Sequence, residues 1–176
     1  MTSKINGRSI LYTLSLLLLL VCGGCGVYSF SGTSISPDIK TISIQTIENS
    51  SGEGPANLTQ VVTDNFKNYF RRNSNLTVLQ SNGDLQLEGQ IVSFTLTPAA
   101  IQREGLEDKA GLNRLTLGVQ IHYTNTKNPE ENFDRLFTMT QDFKQNVDIT
   151  QIPTNDINEL TERLVTDVFN KTVANW

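Results

Sequence analysis

An alternation of apolar and polar residues between positions 115 and 123 constrains the fold of this sequence more than any other feature. Its apolar members recur at every second position: Leu115, Leu117, Val119, Ile121 and Tyr123. The intervening and flanking positions are polar or small: Arg114, Thr116, Gly118, Gln120, His122 and Thr124. A strict period of two is typical of a β-strand that buries only one face. The chain must therefore form a sheet with one packed face and one face left to water or to a partner.

Other segments complete this sheet. Strand-like patterns occur over residues 41–45, 76–80, 85–97 and 133–143. In the third of these segments the apolar positions change phase between Ile91 and Val92, close to Gly89, which predicts a β-bulge. The sequence Ser-Asn-Gly-Asp at residues 81–84 predicts a hairpin turn between the two strands that flank it.

Two segments show helical spacing instead. The apolar positions of the first, which begins at Pro55, are Leu58, Val61, Val62, Phe66, Tyr69 and Phe70. The second opens at Pro153, with Thr154 or Asn155 as its expected N-cap. Its apolar positions are Ile157, Leu160, Leu164, Val165, Val168, Phe169 and Val173. The order is β-α-β-β-β-β-α, and we expect an α+β two-layer sandwich in which one mixed, antiparallel-rich sheet carries both helices on one face.

The N-terminus resembles an export signal. Lys4 and Arg8 are the only charged residues before an apolar stretch at residues 10–21. That stretch has the length of a signal-peptide core and is too short to cross a membrane. Two glycines then precede Cys25, a pattern that resembles the bacterial lipobox, whose cysteine receives the lipid. We therefore predict that residues 1–24 are a lipoprotein signal peptide and that Cys25 is the lipid-attachment residue.

A second cysteine leaves other interpretations open. Cys22 and Cys25 form a Cys-x-x-Cys pair, a spacing also found in metal and redox sites, but cleavage before Cys25 would separate the two thiols. Cys22 fits the lipobox poorly because the bulky Val21 precedes it. An ordinary secretory signal with incidental cysteines is the remaining alternative.

The rest of the chain is long enough for one domain with its own core. We expect a lipidated Ser/Gly-rich tether at residues 25–37 and a single domain at residues 38–176. The full sequence has a net charge of −4, and loss of Lys4 and Arg8 with the signal peptide would make it −6. This balance disfavours non-specific binding to nucleic acid. Ser, Thr, Asn and Gln outnumber the charged residues, so the domain surface is suited to contact with another polar protein surface.

No catalytic, cofactor-binding or metal-binding residue is predicted. The single histidine, His122, lies on the polar face of a regular strand, where a solvated side chain is expected more than a triad base or a metal ligand. The sequence has no Gly-rich phosphate loop after a strand and no Gly-x-Ser-x-Gly elbow. We therefore do not expect an enzyme.

One long connection, residues 98–112, is a candidate for partner docking. Loops of about 12–15 residues without their own secondary structure are often functional. Arg103 and Lys109 are the candidate contacts, and the carboxylates of the same loop favour a protein partner over a phosphate group. A solvated connector is the alternative.

Four stretches together carry a family resemblance: CGVYSFSG after the leader, KTISIQTIENSS as the first strand, FRRNSNLTVLQ at the end of the first helix and GDLQLEGQIVSF as the long strand. In combination they resemble the LptE family of lipopolysaccharide-assembly lipoproteins, in the form found in Bacteroidetes. No single motif is specific, although the resemblance covers nearly the whole chain after the leader. No lipopolysaccharide-contacting residue of the family can be matched here position by position.

The resemblance implies an outer-membrane lipoprotein that plugs the β-barrel of the LptD translocon and assists the assembly of lipopolysaccharide in the outer leaflet. It implies a lipid anchor in the membrane, with lipopolysaccharide as a further candidate partner. The tether has no acidic cluster after Cys25, which favours the periplasmic side of the membrane. Two alternatives fit the residues: an envelope lipoprotein that captures glycans or scaffolds another complex, and a periplasmic enzyme with a dispersed site.

Overall fold

The computed structural model describes residues 35–99, 112–144 and 147–173, which all fall in one compact unit. The strands are β1 (Thr41–Ile44), β2 (Glu48–Asn49), β3 (Thr77–Leu79), β4 (Leu85–Pro98), β5 (Leu112–Asn125) and β6 (Phe133–Lys144). The helices are α1 (Leu58–Asn73) and α2 (Thr154–Thr172), and short 3-10 turns occupy Pro129–Glu131 and Ile149–Gln151. The predicted signal peptide and Cys25 lie outside the described residues, as do Arg103 and Lys109.

The strands form one mixed sheet in the order β3-β1-β4-β5-β6. β1 pairs in parallel with β3 and β4, whereas β5 pairs antiparallel with β4 and with β6. The α+β class and the order of the main elements are therefore confirmed. The two-residue strand β2, which pairs in parallel with β4, is an addition to the predicted elements.

The connection between β3 and β4 differs from the prediction. Both strands run parallel to β1 on its two sides, with Ile42 opposite Val78 and also opposite Leu85. The hairpin predicted for residues 81–84 is therefore wrong, because the chain crosses β1 at this point instead of reversing. A Cβ built on Gly83 would lie only 2.4 Å from the backbone nitrogen of Ser43. The crossing is in direct contact with the β1 backbone.

Asp84 fastens this crossing to β1. Its Oδ2 accepts hydrogen bonds from the backbone N–H groups of Lys40 and Thr41, both at 3.0 Å, and from the Thr41 hydroxyl at 2.8 Å. The ammonium of Lys127 lies 3.3 Å from Oδ1. The pKa of Asp84 is held well below its ordinary value, first by the backbone N–H of Lys40 and then by the Thr41 hydroxyl, because both stabilise the charged carboxylate.

This carboxylate makes the stability of the fold depend on pH. A group with a depressed pKa in the folded state contributes stability above its unfolded pKa and loses it as the pH falls. We expect Asp84→Asn to lower the Tm at pH 7, and we expect its difference from the wild type to shrink as the pH falls below about 4. Thermal unfolding of both proteins at pH 7 and pH 3 measures this. Asp64→Asn, at an exposed position of α1, is the control, and a constant difference for Asp84→Asn at both pH values would contradict the assignment.

The core lies between the sheet and the two helices. The five alternating apolar residues of β5 are all buried, at 0–1% exposure, as predicted. On the helix layer, the ring of Phe169 in α2 meets Tyr69 and Phe70 of α1 edge to face, with centroids 5.4 and 5.2 Å apart. Asn65 donates to Asn158 at 2.8 Å, which ties the two helices together. Among the described residues no helix is long and apolar enough to cross a membrane.

Two local predictions have different outcomes. The register of β4 against β5 shifts between Ile91 and Ser93, so the predicted bulge is confirmed and Val92 is its extra, exposed residue. The predicted N-cap of α2 is wrong, because Pro153 occupies the N-cap position and Thr154 already belongs to the helix.

Candidate functional site on the open face of the sheet

The surface of β4, β5 and β6 that points away from the buried core is called the open face here. The strand registers place its residues in rows across the three strands, and each such row of directly opposite residues is called a rung here. The residues of the open face are Gln86, Glu88, Gln90, Ser93, Thr95, Thr97, Arg114, Thr116, Gly118, Gln120, His122, Thr124, Asp134, Leu136, Thr138, Thr140 and Asp142. Their alternation with core residues fixes this orientation, because successive side chains of a strand point to opposite faces.

The centre of the open face is neutral and polar. Thr116 lies between Thr95 and Thr140 in one rung, and Gln120 lies between Gln90 and Leu136 in another. Hydroxyl and amide groups both donate and accept hydrogen bonds. Such a surface can exchange water for a polar partner without leaving a charge unpaired.

One end of the open face is acidic. His122 lies between Glu88 and Asp134 in the same rung, with its Nδ1 3.8 Å from Oδ2 of Asp134. Gln120 also donates a hydrogen bond to Asp134. Side-chain exposure of 57% for His122 agrees with the solvated strand histidine expected from the sequence. Within the ranges that the structure describes, no three His, Cys, Asp or Glu side chains are grouped so as to hold a metal ion.

The other end of the open face carries an ion pair. Arg114 donates to both carboxylate oxygens of Asp142, at 2.7 and 3.0 Å. These bonds lower the pKa of the Asp142 carboxyl and raise that of the Arg114 guanidinium. Both side chains are well exposed, so the pair adds little to stability. It neutralises two charges that a docked partner would otherwise have to desolvate.

Leu136 adds an apolar contact to this polar surface. Its side chain is 50% exposed and lies over Gly118, where a Cβ would be 3.5 Å from its Cδ1. The sequence analysis did not select Leu136, because the apolar pattern of the strand predicted over residues 133–143 consists of Phe133, Phe137, Met139 and Phe143. The available signal was that Leu136 is an apolar residue out of phase with that pattern.

A cavity of about 260 Å³ lies beside residues 35–39. Its polar lining includes the buried Asn125 together with Asp38, Lys127 and Glu131. The Asn125 amide donates to Glu131 at 2.8 Å, and its carbonyl oxygen accepts from the backbone N–H groups of Lys127 and Asn128. These hydrogen bonds satisfy the Asn125 side chain within the turn. The open face remains the candidate site.

Comparison with known proteins identifies the family. The sequence matches the family model described as LptE, lipopolysaccharide-assembly, over residues 39–172. The chain belongs to the LptE family. The match spans every helix and strand of the described domain, and it confirms the resemblance found in the sequence, whereas the Bacteroidetes form stays a prediction. None of the curated proteins matches the chain.

Solved structures share the fold of this LptE-family domain at low sequence identity. Protein XCC0632 from Xanthomonas campestris is 10% identical with a TM-score of 0.53, and the match covers 76% of this chain and 86% of that one. The hypothetical protein CT253 from Chlamydia trachomatis is 11% identical with a TM-score of 0.52, over 77% of this chain and 99% of that one. These likenesses concern the fold alone.

Proposed function

We propose that this LptE-family chain is an outer-membrane lipoprotein, anchored on the periplasmic side through Cys25, which assists lipopolysaccharide transport and assembly as the plug of an LptD β-barrel. The observation that carries the proposal is the open face: a polar surface spanning three strands of an LptE-family domain. The interior of a membrane barrel is polar, so a plug needs a folded polar surface rather than an apolar one.

The charges of the open face suit such a docking site. Arg114 and Asp142 already neutralise each other, and Gln45 donates to Glu88 at 2.7 Å. Docking over the centre of the open face and its Arg114–Asp142 end therefore removes no uncompensated charge from water, which is the main cost of burying a polar surface. At the acidic end, Glu88 and Asp134 keep their negative charge and favour a partner that supplies a cationic group there. Leu136 supplies an exposed apolar group in this surface, and binding energy at interfaces concentrates at a few well-packed contacts. This role needs no catalytic residue.

Substitution of a central residue tests the docking surface. Thr116→Lys would place a charge without a partner in the middle of the open face, so we expect about tenfold lower recovery of the LptD barrel. Gln60→Lys, at an exposed position of α1, adds the same side chain to the helix layer and should leave recovery unchanged. The measurement is gentle detergent extraction followed by quantitative mass spectrometry, with the Tm of each variant recorded.

The outcomes separate the proposal from its rivals. Equal recovery of the barrel with both lysine variants would show that the open face is not the docking surface. Recovery of a different envelope complex in place of a barrel would favour a scaffold.

Replacement of residues 99–111 by a short Gly/Ser linker tests the proposed contacts of Arg103 and Lys109. If the variant folds and recovers the barrel as well as the wild type does, the loop is only a connector and does not contact the barrel.

The lipid anchor has its own test. We expect Cys25→Ala to abolish lipidation, because that residue supplies the sulfur after two small residues, and we expect Cys22→Ala to leave lipidation intact. Intact-mass measurement of the two purified variants distinguishes these results. Acyl chains retained on the Cys25→Ala protein would contradict the assignment of the anchor.

A further inference from the structure

Among the strands that the structure describes, β6 forms a long free edge of the sheet. It has 12 residues and pairs with β5 without a register shift, and no strand of the described residues pairs with its other side. The opposite edge of the sheet, β3, has only three residues. Short edge strands, bulges and prolines are common ways in which proteins protect a sheet edge from pairing with another chain. β6 has none of these three features. Charged residues, a further form of protection, lie only at its two ends: Asp134, Arg135, Asp142 and Lys144.

The residues whose backbone groups point outward can be identified. In an antiparallel pair the N–H and C=O of one residue point to the same side, and successive residues alternate. The guanidinium of Arg163 reaches the carbonyl oxygen of Thr140 at 3.4 Å, so Thr140 faces away from β5. The outward row is therefore Asp134, Leu136, Thr138, Thr140 and Asp142. In the described part of the chain, Arg163 makes the only hydrogen bond to the backbone of this row.

We infer that the β6 edge accepts an extended segment of a different protein chain as an additional antiparallel strand. Strand addition of this kind takes its affinity from backbone hydrogen bonds and its specificity from alternate side chains. The closed wall of a barrel has no free strand edge. The added segment is therefore distinct from the barrel contact proposed for the open face, and this inference does not depend on that contact.

The charges of the outward row specify the occupant. Its two ends, Asp134 and Asp142, are acidic, and its centre consists of Leu136, Thr138 and Thr140. Directly opposed side chains of paired strands stabilise the pair when their charges are opposite. The matching strand carries Lys or Arg at both ends and apolar or hydroxyl side chains between them. On the other face its side chains would meet Phe137 and Met139, above a shallow groove lined by Gln141, Glu159, Glu162, Arg163 and Thr166.

A second copy of this chain fits the edge less well. Antiparallel pairing of two β6 strands about Thr138 would place Asp134 of one copy opposite Asp142 of the other, and like charges in direct opposition destabilise a strand pair. Moving the symmetry axis to Met139 would place Asp134 opposite Lys144, but it would also place Leu136 opposite Asp142 at two positions. The first overlap is repulsive, and the second opposes an apolar side chain to a carboxylate twice.

A synthetic peptide probes the edge directly. Its nine residues are Lys-Val-Thr-Val-Thr-Val-Thr-Val-Lys, so that in antiparallel pairing the lysines lie opposite Asp142 and Asp134 and the central threonine lies opposite Thr138. Fluorescence anisotropy with the full chain in detergent micelles measures binding. We expect the peptide to bind, and we expect replacement of both lysines by glutamate to weaken binding about tenfold or more, because like charges would then be opposed.

Methylation of the peptide backbone gives a matched pair of controls that leaves the protein unchanged. N-methyl groups on the three threonines remove donors that point at β6 and should abolish binding. N-methyl groups on the two central valines, whose N–H groups point away, should not. On the protein side, Thr138→Pro removes an outward N–H without removing a hydrogen bond to β5 and should abolish binding. Thr138→Val, which also lacks the hydroxyl but keeps the N–H, should retain binding.

Three results would overturn the inference. Failure of the unmodified peptide to bind would rule out strand addition at β6. Equal binding after methylation of the threonines would rule it out as well. A dimer of the chain alone in sedimentation, lost in Thr138→Pro and kept in Thr138→Val, would show that a second copy occupies the edge. Hydrogen exchange provides the positive readout, since the amides of Leu136 and Thr138 should become protected when the peptide is bound.

Discussion

Replacement of Leu117 by alanine is expected to lower the free energy of unfolding by about 2–5 kcal/mol, the usual cost of truncating a fully buried leucine. Leu117 is 0% exposed and sits in the middle of β5, opposite Phe94 of β4 and Met139 of β6. Strands pair on both sides of this position, so the backbone cannot easily collapse into the space left by the missing atoms. Urea denaturation of the purified domain measures the change.

The adjacent residue provides the control for Leu117→Ala. Thr116 points to the open face, and Thr116→Ala leaves no cavity in the core. We expect this variant to cost well under half as much as Leu117→Ala, about 0.5 kcal/mol, as is usual for surface positions. Equal shifts in the denaturation midpoint for the two variants would contradict the assigned orientation of β5.

The elements of the fold could be predicted because each of them follows a local period. The alternation in β5 and the helical spacing in α1 and α2 depend on which side chains face the core. This pattern can be recognised within a short window of neighbouring residues. The phase change at Ile91 and Val92 was informative for the same reason, since an extra residue in one strand shifts its alternation by one.

The pairing of the strands could not be predicted in the same way. Ser-Asn-Gly-Asp at 81–84 has the composition of a hairpin turn, but Asp84 uses its carboxylate to bind β1 at Lys40 and Thr41. That interaction joins residues more than forty positions apart, so no local pattern reveals it. β2 was missed because two residues are too few to show a period.

The candidate site was accessible from the sequence only in part. The polar face of β5 followed from the alternation, and the structure extends it to β4 and β6 through strand register. Leu136 and the free edge of β6 were not foreseen, because exposure and strand order are properties of the assembled sheet. Cys25, Arg103 and Lys109 lie outside the described residues, so their roles stay proposals.

Replacement of Gly83 by alanine is expected to destabilise the fold by about 3 kcal/mol or more, at the upper end of the usual cost of overpacking. A Cβ at this position would lie 2.4 Å from the nitrogen of Ser43, 2.7 Å from the carbonyl carbon of Ile42 and 2.7 Å from the carbonyl oxygen of Leu85. All three are backbone atoms, so no side-chain rotation can relieve the contact. The crossing must move away from β1, which weakens the hydrogen bonds of Asp84 to that strand.

A second glycine separates this steric effect from the general cost of replacing glycine. Gly52 has a φ of +74°, and a Cβ there would meet nothing within 4 Å. Gly52→Ala should therefore cost only about 1–2 kcal/mol, the penalty for a left-handed backbone at a residue with a side chain. Urea denaturation of both variants gives the comparison. If Gly83→Ala costs no more than Gly52→Ala, the segment between β3 and β4 does not cross β1 in close contact, and the parallel pairing of β1 with both neighbours has to be reconsidered.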